Sequence, residues 1–127
     1  MANATIVNLK DVEDSAVRFG LSPQLESRFA REALGCEQVG LSYQRLAPDA
    51  SQPFAHRHAS HEELYVVVGG SGRVRLDGEV SDVRRFDVVR VAPETARSFA
   101  AGPDGLELLV FGPYGADEFE TLPSGWE

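Results

Sequence analysis

The sequence predicts an all-β domain, an antiparallel sandwich or barrel with a short helical arm at its N-terminus, and three observations point that way. From Val39 onward apolar and polar residues alternate with period two, as in VGLSYQRL, GRVRL and FDVVRV. Gly and Pro punctuate these runs, and Asp77-Gly78 between GRVRL and EVSDV is a strong two-residue hairpin signal. About seven or eight such segments fall within residues 39–112, a density that suits a sandwich or barrel.

The first third of the chain reads differently. Ser22 as N-cap, Pro23 at the first helical position and Glu26 in the first turn predict a helix that Gly35 ends. Leu25, Phe29 and Ala33 would form its narrow apolar stripe. Three stretches follow from these patterns: an arm over 1–38, a barrel over 39–112, and an acidic tail over 113–127.

One domain fits the 127 residues, and a chain of that size builds a core without needing a metal or a disulfide to hold it. Net charge is −8, and no Lys or Arg follows Arg97. Asp104, Glu107, Asp117, Glu118, Glu120 and Glu127 therefore make the last segment strongly acidic. Phosphate backbones and anionic membranes both need a basic face, so neither nucleic acid nor membrane is expected as a partner. The lone Cys36 excludes an internal disulfide, and the N-terminus has no basic-then-apolar leader, which leads us to expect a soluble cytoplasmic protein. Arg supplies all the basic residues but Lys10, a bias common in bacterial genomes of high GC content.

All three histidines lie within six residues, at His56, His58 and His61, just before Glu62-Glu63. On a strand, His56 and His58 project from one face and can converge on one point, and a carboxylate across the next turn can join them. Two imidazoles and a carboxylate suit Fe, Mn, Ni, Zn or Cu. His61, at an odd offset from His58, is a solvated turn residue or a substitute ligand. Glu62 falls on the opposite face from Glu63 and is expected to be exposed.

His56-Arg57-His58, Glu63 and Gly70 carry the spacing of the first motif of the cupin superfamily, and the text EELYVVVGGSGRVRLDGE resembles its strand, turn and hairpin. The motif's leading Gly is Ala50 here. The resemblance covers roughly residues 39–112 and implies a double-stranded β-helix, the jelly-roll barrel of that family, with a small-molecule site inside it. The second motif is eroded: Phe86, Ala92, Glu94, Arg97 and Ala101 stand where the family pattern has Gly, Pro, Gly, His and Asn. The fourth metal ligand is thereby an arginine, which has no lone pair to offer a cation.

Three uses of the site follow. One keeps a divalent metal on His56, His58 and Glu63 with open positions for substrate. Another has no metal: Arg97 forms a bidentate pair with Glu63 and helps hold an organic anion. In the third, resembling metal-independent sugar isomerases and epimerases, a histidine base works with Tyr43 or Tyr65 as acid. Alternation places Tyr43 with Arg45 on one strand face and Tyr65 with Glu63 on another, so these residues and His61 are candidate substrate contacts; Gln44 belongs to the face opposite Tyr43. With Tyr65 and Val67 inside, Leu64, Val66 and Val68 pack against a neighbouring sheet, while Arg73 and Arg75 belong to a solvated face. A homodimer is expected, with Ile6, Val7, Leu9, Phe119 and Trp126 as contact material.

Overall fold

A computed structural model describes residues 2–113 and 118–127, with strand outweighing helix by 54% to 9%. After a 3-10 turn at Leu9–Asp11, the elements run α1 (Ser15–Arg18), β1 (Leu25–Phe29), α2 (Arg31–Leu34), β2 (Val39–Leu46), β3 (Phe54–His58), β4 (Glu63–Leu76), β5 (Glu79–Arg84), β6 (Val88–Val91), β7 (Arg97–Pro113) and β8 (Phe119–Pro123). Eight strands form one curled antiparallel sheet in the order β1-β2-β7-β3-β8, with β4 bridging β5, β6 and β7. The expected all-β barrel is present. Among the described residues no helix is long and apolar enough to cross a membrane.

The two long strands make the barrel. β4 pairs with β7 along two stretches, Leu64 to Gly70 against Leu106 to Phe111 and Gly72 to Leu76 against Arg97 to Ala101, with irregularities between Val67 and Gly69 and between Gly70 and Gly72. These bulges bend both strands so that each serves two parts of the sheet. Gly70 sits at φ +69, and a Cβ there would lie 2.0 Å from the Gly105 carbonyl oxygen. Inside the curl, Leu46, Tyr65, Val67, Val74, Val83, Val91, Phe99, Leu106, Leu108 and Val110 form one buried core. Val66 and Val68 are half-buried on the outer face and Leu64 is exposed there, so this face is not covered by a second sheet. Asp77 and Gly78 both take positive φ, 48 and 90, as the tight β4–β5 hairpin requires.

The arm departs from its predicted form. Residues Leu25–Phe29 are a strand, paired with β2 from Leu25↔Leu46 to Phe29↔Ser42, and of the predicted helix only Arg31–Leu34 is helical, ending at Gly35 with φ +70. Ladder bonds to the open edge of β2, together with Leu25 docking on the core, outweigh the local capping signal at Ser22. No apolar helical stripe results, since Phe29 and Ala33 are exposed. On either side of residues 39–112, β1 and β8 are hydrogen-bonded members of the sheet, β8 pairing with β3 from Phe54↔Pro123 to His58↔Phe119. Asp117 of the acidic tail lies outside the described residues.

Polar contacts fasten the arm to the outside of β1. Glu26 Oε2 accepts from Lys10 Nζ and from Arg28 Nε, both at 2.6 Å. The Asp14 carboxylate accepts from the amides of Ala16 and Ser27 at 3.0 and 2.9 Å. Lys10 also lies 4.9 Å from the Tyr43 ring centroid.

Burial acts to raise the Glu26 pKa, but Lys10 and Arg28 outweigh it and hold the carboxyl below its ordinary 4.5. Because the folded pKa lies below the unfolded one, the clamp contributes fully above about pH 4.5 and is lost as pH falls through the lower folded value. Glu26→Gln should therefore speed proteolysis of the arm at neutral pH and flatten the acid-induced acceleration seen in the wild type; unchanged cleavage would show that the clamp does not hold the arm. Gly70→Ala should cost roughly 3 kcal/mol or more in urea unfolding, because both φ and space forbid the added methyl.

Candidate functional site

β3 and β4 bring the site together from opposite parts of the sheet. His56 and His58 alternate with Arg57 along β3, so both rings face the interior, while Arg57 points out to pair with Glu120 at 2.7 Å. Glu63 opens β4 and shares its inner face with Tyr65 and Val67. The His56 and His58 Nε2 atoms lie 3.6 and 3.3 Å from one oxygen, Glu63 Oε1. Among the described residues, His56, His58 and Glu63 form the one group whose ligand atoms all fall within 4.8 Å of one another.

That same oxygen also accepts from Tyr65 Oη at 2.8 Å and from Arg97 Nη1 at 3.0 Å. Arg97 is buried at the start of β7, opposite His56 in the register. Its contact with the carboxylate is single rather than the expected bidentate one. The reason lies in the turn before β7: Arg97 Nη2 is taken up by the carbonyl oxygens of Ala92 at 2.8 Å and Pro93 at 3.4 Å. Burial acts to raise the pKa of Glu63, yet hydrogen bonding from His56 and Tyr65 and the charges of His58 and His56 bring it down to about 2. Glu63 is thus an anion at any ordinary pH. Tyr65 moves the other way, its pKa raised well above 10 by burial and then by the Glu63 charge, so it stays a protonated donor.

Not every expected contact joins this centre. Tyr43 and Arg45 lie on the outer face of β2, in register with Arg28 and Glu26 under the arm, and Tyr43 Oη donates to Glu107 at 3.0 Å. The face of β2 that carries Leu46 into the core is the inner one, so Ser42 and Gln44 point inward instead. The signal was available in the parity of Leu46, an aliphatic residue in step with Gln44. His61 stacks on His58 at 6.0 Å between centroids but stands outside the three-residue group. Phe119, assigned from sequence to a subunit contact, packs its ring 6.4 and 6.2 Å from those of His56 and His58. Only the pairing of β8 with β3 shows this, because the acidic text around Phe119 gives no sign of a strand.

A cavity of about 440 Å³ opens beside Glu63. Ser42, Val110 and Gly112 line its barrel side, and Arg18 and Phe29 line the arm side. Gly112 and its register partner Gly40 leave the inner face bare next to the carboxylate, and a Cβ at Gly112 would come within 3.8 Å of Glu63 Oε2. The second carboxylate oxygen therefore faces the cavity while the first serves the cluster.

A family model described as the cupin domain matches residues 42–112. An uncharacterised protein of Methanocaldococcus jannaschii is 29% identical over 80 residues, covering 61% of this chain and 64% of that protein, so the chain spans less than two thirds of its curated relative. Among solved structures, the polyketide cyclase RemF of Streptomyces resistomycificus matches with a TM-score of 0.76 at 21% identity, over 94% of this chain and 84% of that one. A cupin protein of Bacteroides fragilis matches with a TM-score of 0.68 at 20% identity, over 100% and 90%. At these identities the structural likeness is one of fold.

Replacing Arg97 by Met strips a buried carboxylate of its cation and releases two carbonyls, which should cost roughly 3 kcal/mol or more. In a double-mutant cycle with Glu63→Gln, urea unfolding should return a coupling of about 1 kcal/mol or more. Additive losses would show that the pair does not organise the site.

Proposed function

Because the chain belongs to the cupin family and carries the His56, His58 and Glu63 group inside its barrel, we propose that it is a small-molecule-binding protein that holds a divalent metal there. One observation carries this: three donor atoms of the right chemistry lie at ligand spacing. Donors bonded at about 2.1 Å to one ion in tetrahedral-like geometry stand about 3.4 Å apart, and the two imidazole nitrogens stand 3.6 and 3.3 Å from Glu63 Oε1. Fe, Mn, Ni, Zn and Cu all accept this set. A bound ion would supply Lewis acidity toward a substrate oxygen or an activated water.

The chain's own residues set the conditions for that ion. Tyr65 and Arg97 fix the Glu63 carboxylate in place, and its low pKa keeps it anionic without help from a metal. Arg97 also occupies a lone pair that an ion would use and adds a positive charge nearby, so it weakens affinity rather than abolishing the site. The cavity beside Glu63 Oε2 gives a ligand access from the arm side.

The metal-free alternative, an organic anion bound through Arg97 and the histidines, draws support from the Arg97–Glu63 contact and from an Arg97 Nε with no hydrogen-bond partner among the described residues. It is the weaker reading because both Nη atoms are already engaged and the side chain is fully enclosed. Isomerase or epimerase chemistry is weaker still. Tyr43 lies outside the barrel, and Tyr65 Oη already donates its proton to Glu63 Oε1.

Elemental analysis of protein purified without a polyhistidine tag should find about one metal ion per chain, or reach that level after incubation with Fe, Mn, Ni, Zn or Cu, and His58→Ala should lose it. Negligible occupancy under every condition would sink the proposal. Arg97→His should bind the metal roughly tenfold tighter or more, since a cation leaves and an imidazole arrives, although the apoprotein should be less stable. A thermal shift by carboxylate or phosphate that vanishes in Arg97→Ala, in protein free of metal, would favour the alternative.

A further inference from the structure

Gln44, on the face of β2 opposite Tyr43, belongs to a directed chain of hydrogen bonds. Ser27 Oγ donates to Gln44 Oε1 at 2.5 Å, and Gln44 Nε2 donates to Ser42 Oγ at 3.1 Å. The two lengths fix which way the amide points, since 2.5 Å suits an O–H donor on an oxygen and 3.1 Å an N–H donor. The chain starts from a held residue, because the Ser27 amide donates to the Asp14 carboxylate of the arm at 2.9 Å. At its far end Ser42 is only 6% exposed and lines the cavity beside Glu63.

The direction of the chain decides what Ser42 can offer. A hydroxyl has one proton and two lone pairs; Gln44 takes a lone pair, and among the described residues nothing takes the proton, so the O–H is left to donate into the cavity. Across the cavity stands Glu63 Oε2, the oxygen that Tyr65 and Arg97 do not use, and a carboxylate only accepts. Between donor and acceptor the lining is apolar and bare. Register places Phe29, Ser42 and Val110 in one row across β1, β2 and β7, and Gly40 with Gly112 in the next inward-facing row. Phe29 keeps 59% of its surface in water. A Cβ at Gly40 would meet nothing closer than the Gly112 carbonyl oxygen at 3.8 Å, so packing alone does not require the floor to be empty.

We propose that Ser42, aimed by Gln44 and Ser27, is a specificity-determining residue of this cleft, donating to the carbonyl oxygen of a flat-ringed ligand whose hydroxyl donates to Glu63 Oε2. This role rests on the reading that a small molecule binds beside Glu63, and it holds with or without the metal. β7 lies between β2 and β4, two strand spacings of about 4.8 Å each, so the two ligand oxygens stand at opposite ends of the ring rather than on neighbouring atoms. The ring covers the glycine floor, with Phe29 and Val110 beside it. A ligand polar on all sides would leave hydroxyls against those two side chains without partners.

The probe is 4-hydroxyacetophenone, with 4-ethylphenol as the analogue that lacks the carbonyl and acetophenone as the one that lacks the hydroxyl. Isothermal titration of the full chain should show saturable binding of 4-hydroxyacetophenone, tighter than of either analogue. Ser42→Ala should weaken it roughly three- to tenfold, the worth of one neutral hydrogen bond, and leave 4-ethylphenol unchanged. Gln44→Leu should lose part of the same discrimination with Ser42 still in place, and Gly40→Val, by filling the floor, should weaken all three probes. Metal content and thermal midpoint should be the same in Ser42→Ala as in the wild type, so failure of metal uptake and failure of this role are read separately. Absence of saturable binding by the wild type would overturn the proposal. So would a Ser42→Ala variant that binds 4-hydroxyacetophenone as tightly as the wild type, or that loses both phenols equally.

Discussion

A single carboxylate oxygen organises the centre of this barrel. Glu63 Oε1 receives Tyr65 Oη and Arg97 Nη1, and both imidazole Nε2 atoms face it. Four groups from three strands can converge there only if β3, β4 and β7 keep their register, so the site and the fold are determined by the same constraint. Energetically the arrangement is one-sided. Assembling buried charges gains little net stability, while losing one member leaves the others desolvated and unmatched. The centre therefore specifies geometry more than it supplies stability, which rests on the apolar core around Val67, Phe99 and Leu108.

Arg97 gives the site its particular character. In a barrel whose two histidines and carboxylate suit a cation, a permanently charged guanidinium shares the carboxylate with them. The two demands meet on one oxygen, leaving the other turned toward the cavity and the arm. Glu63 thus stands between two compartments, the closed cluster on one side and the open cleft on the other. The arm shapes that cleft through Arg18 and Phe29, and β8 brings Phe119 against the histidines.

The sequence carried the barrel and the grouping of His56, His58 and Glu63 because both depend on short-range patterns. Period-two alternation and the Asp77-Gly78 turn each sit within one strand or hairpin, and the His56, His58 and Glu63 spacing spans only the short connection from β3 to β4. What it hid depends on long-range pairing. Leu25 to Phe29 has a respectable helical start, and only the free edge of β2 some twenty residues away makes it a strand. The inward face of β2 was ambiguous until Leu46 was seen in the core, which is why Tyr43 and Arg45 could be grouped with the site while Ser42 and Gln44 could not. β8 is short and acidic, and nothing local distinguishes it from a solvated tail.

The peptide between Ala92 and the start of β7 has a further consequence. The Pro93 carbonyl receives the His58 amide at 2.7 Å from one side and Arg97 Nη2 at 3.4 Å from the other. A main-chain group with no chemistry of its own is therefore a joint between a candidate ligand and the arginine that competes for its partner. The two opposing influences on the centre thus share one main-chain support in the turn before β7.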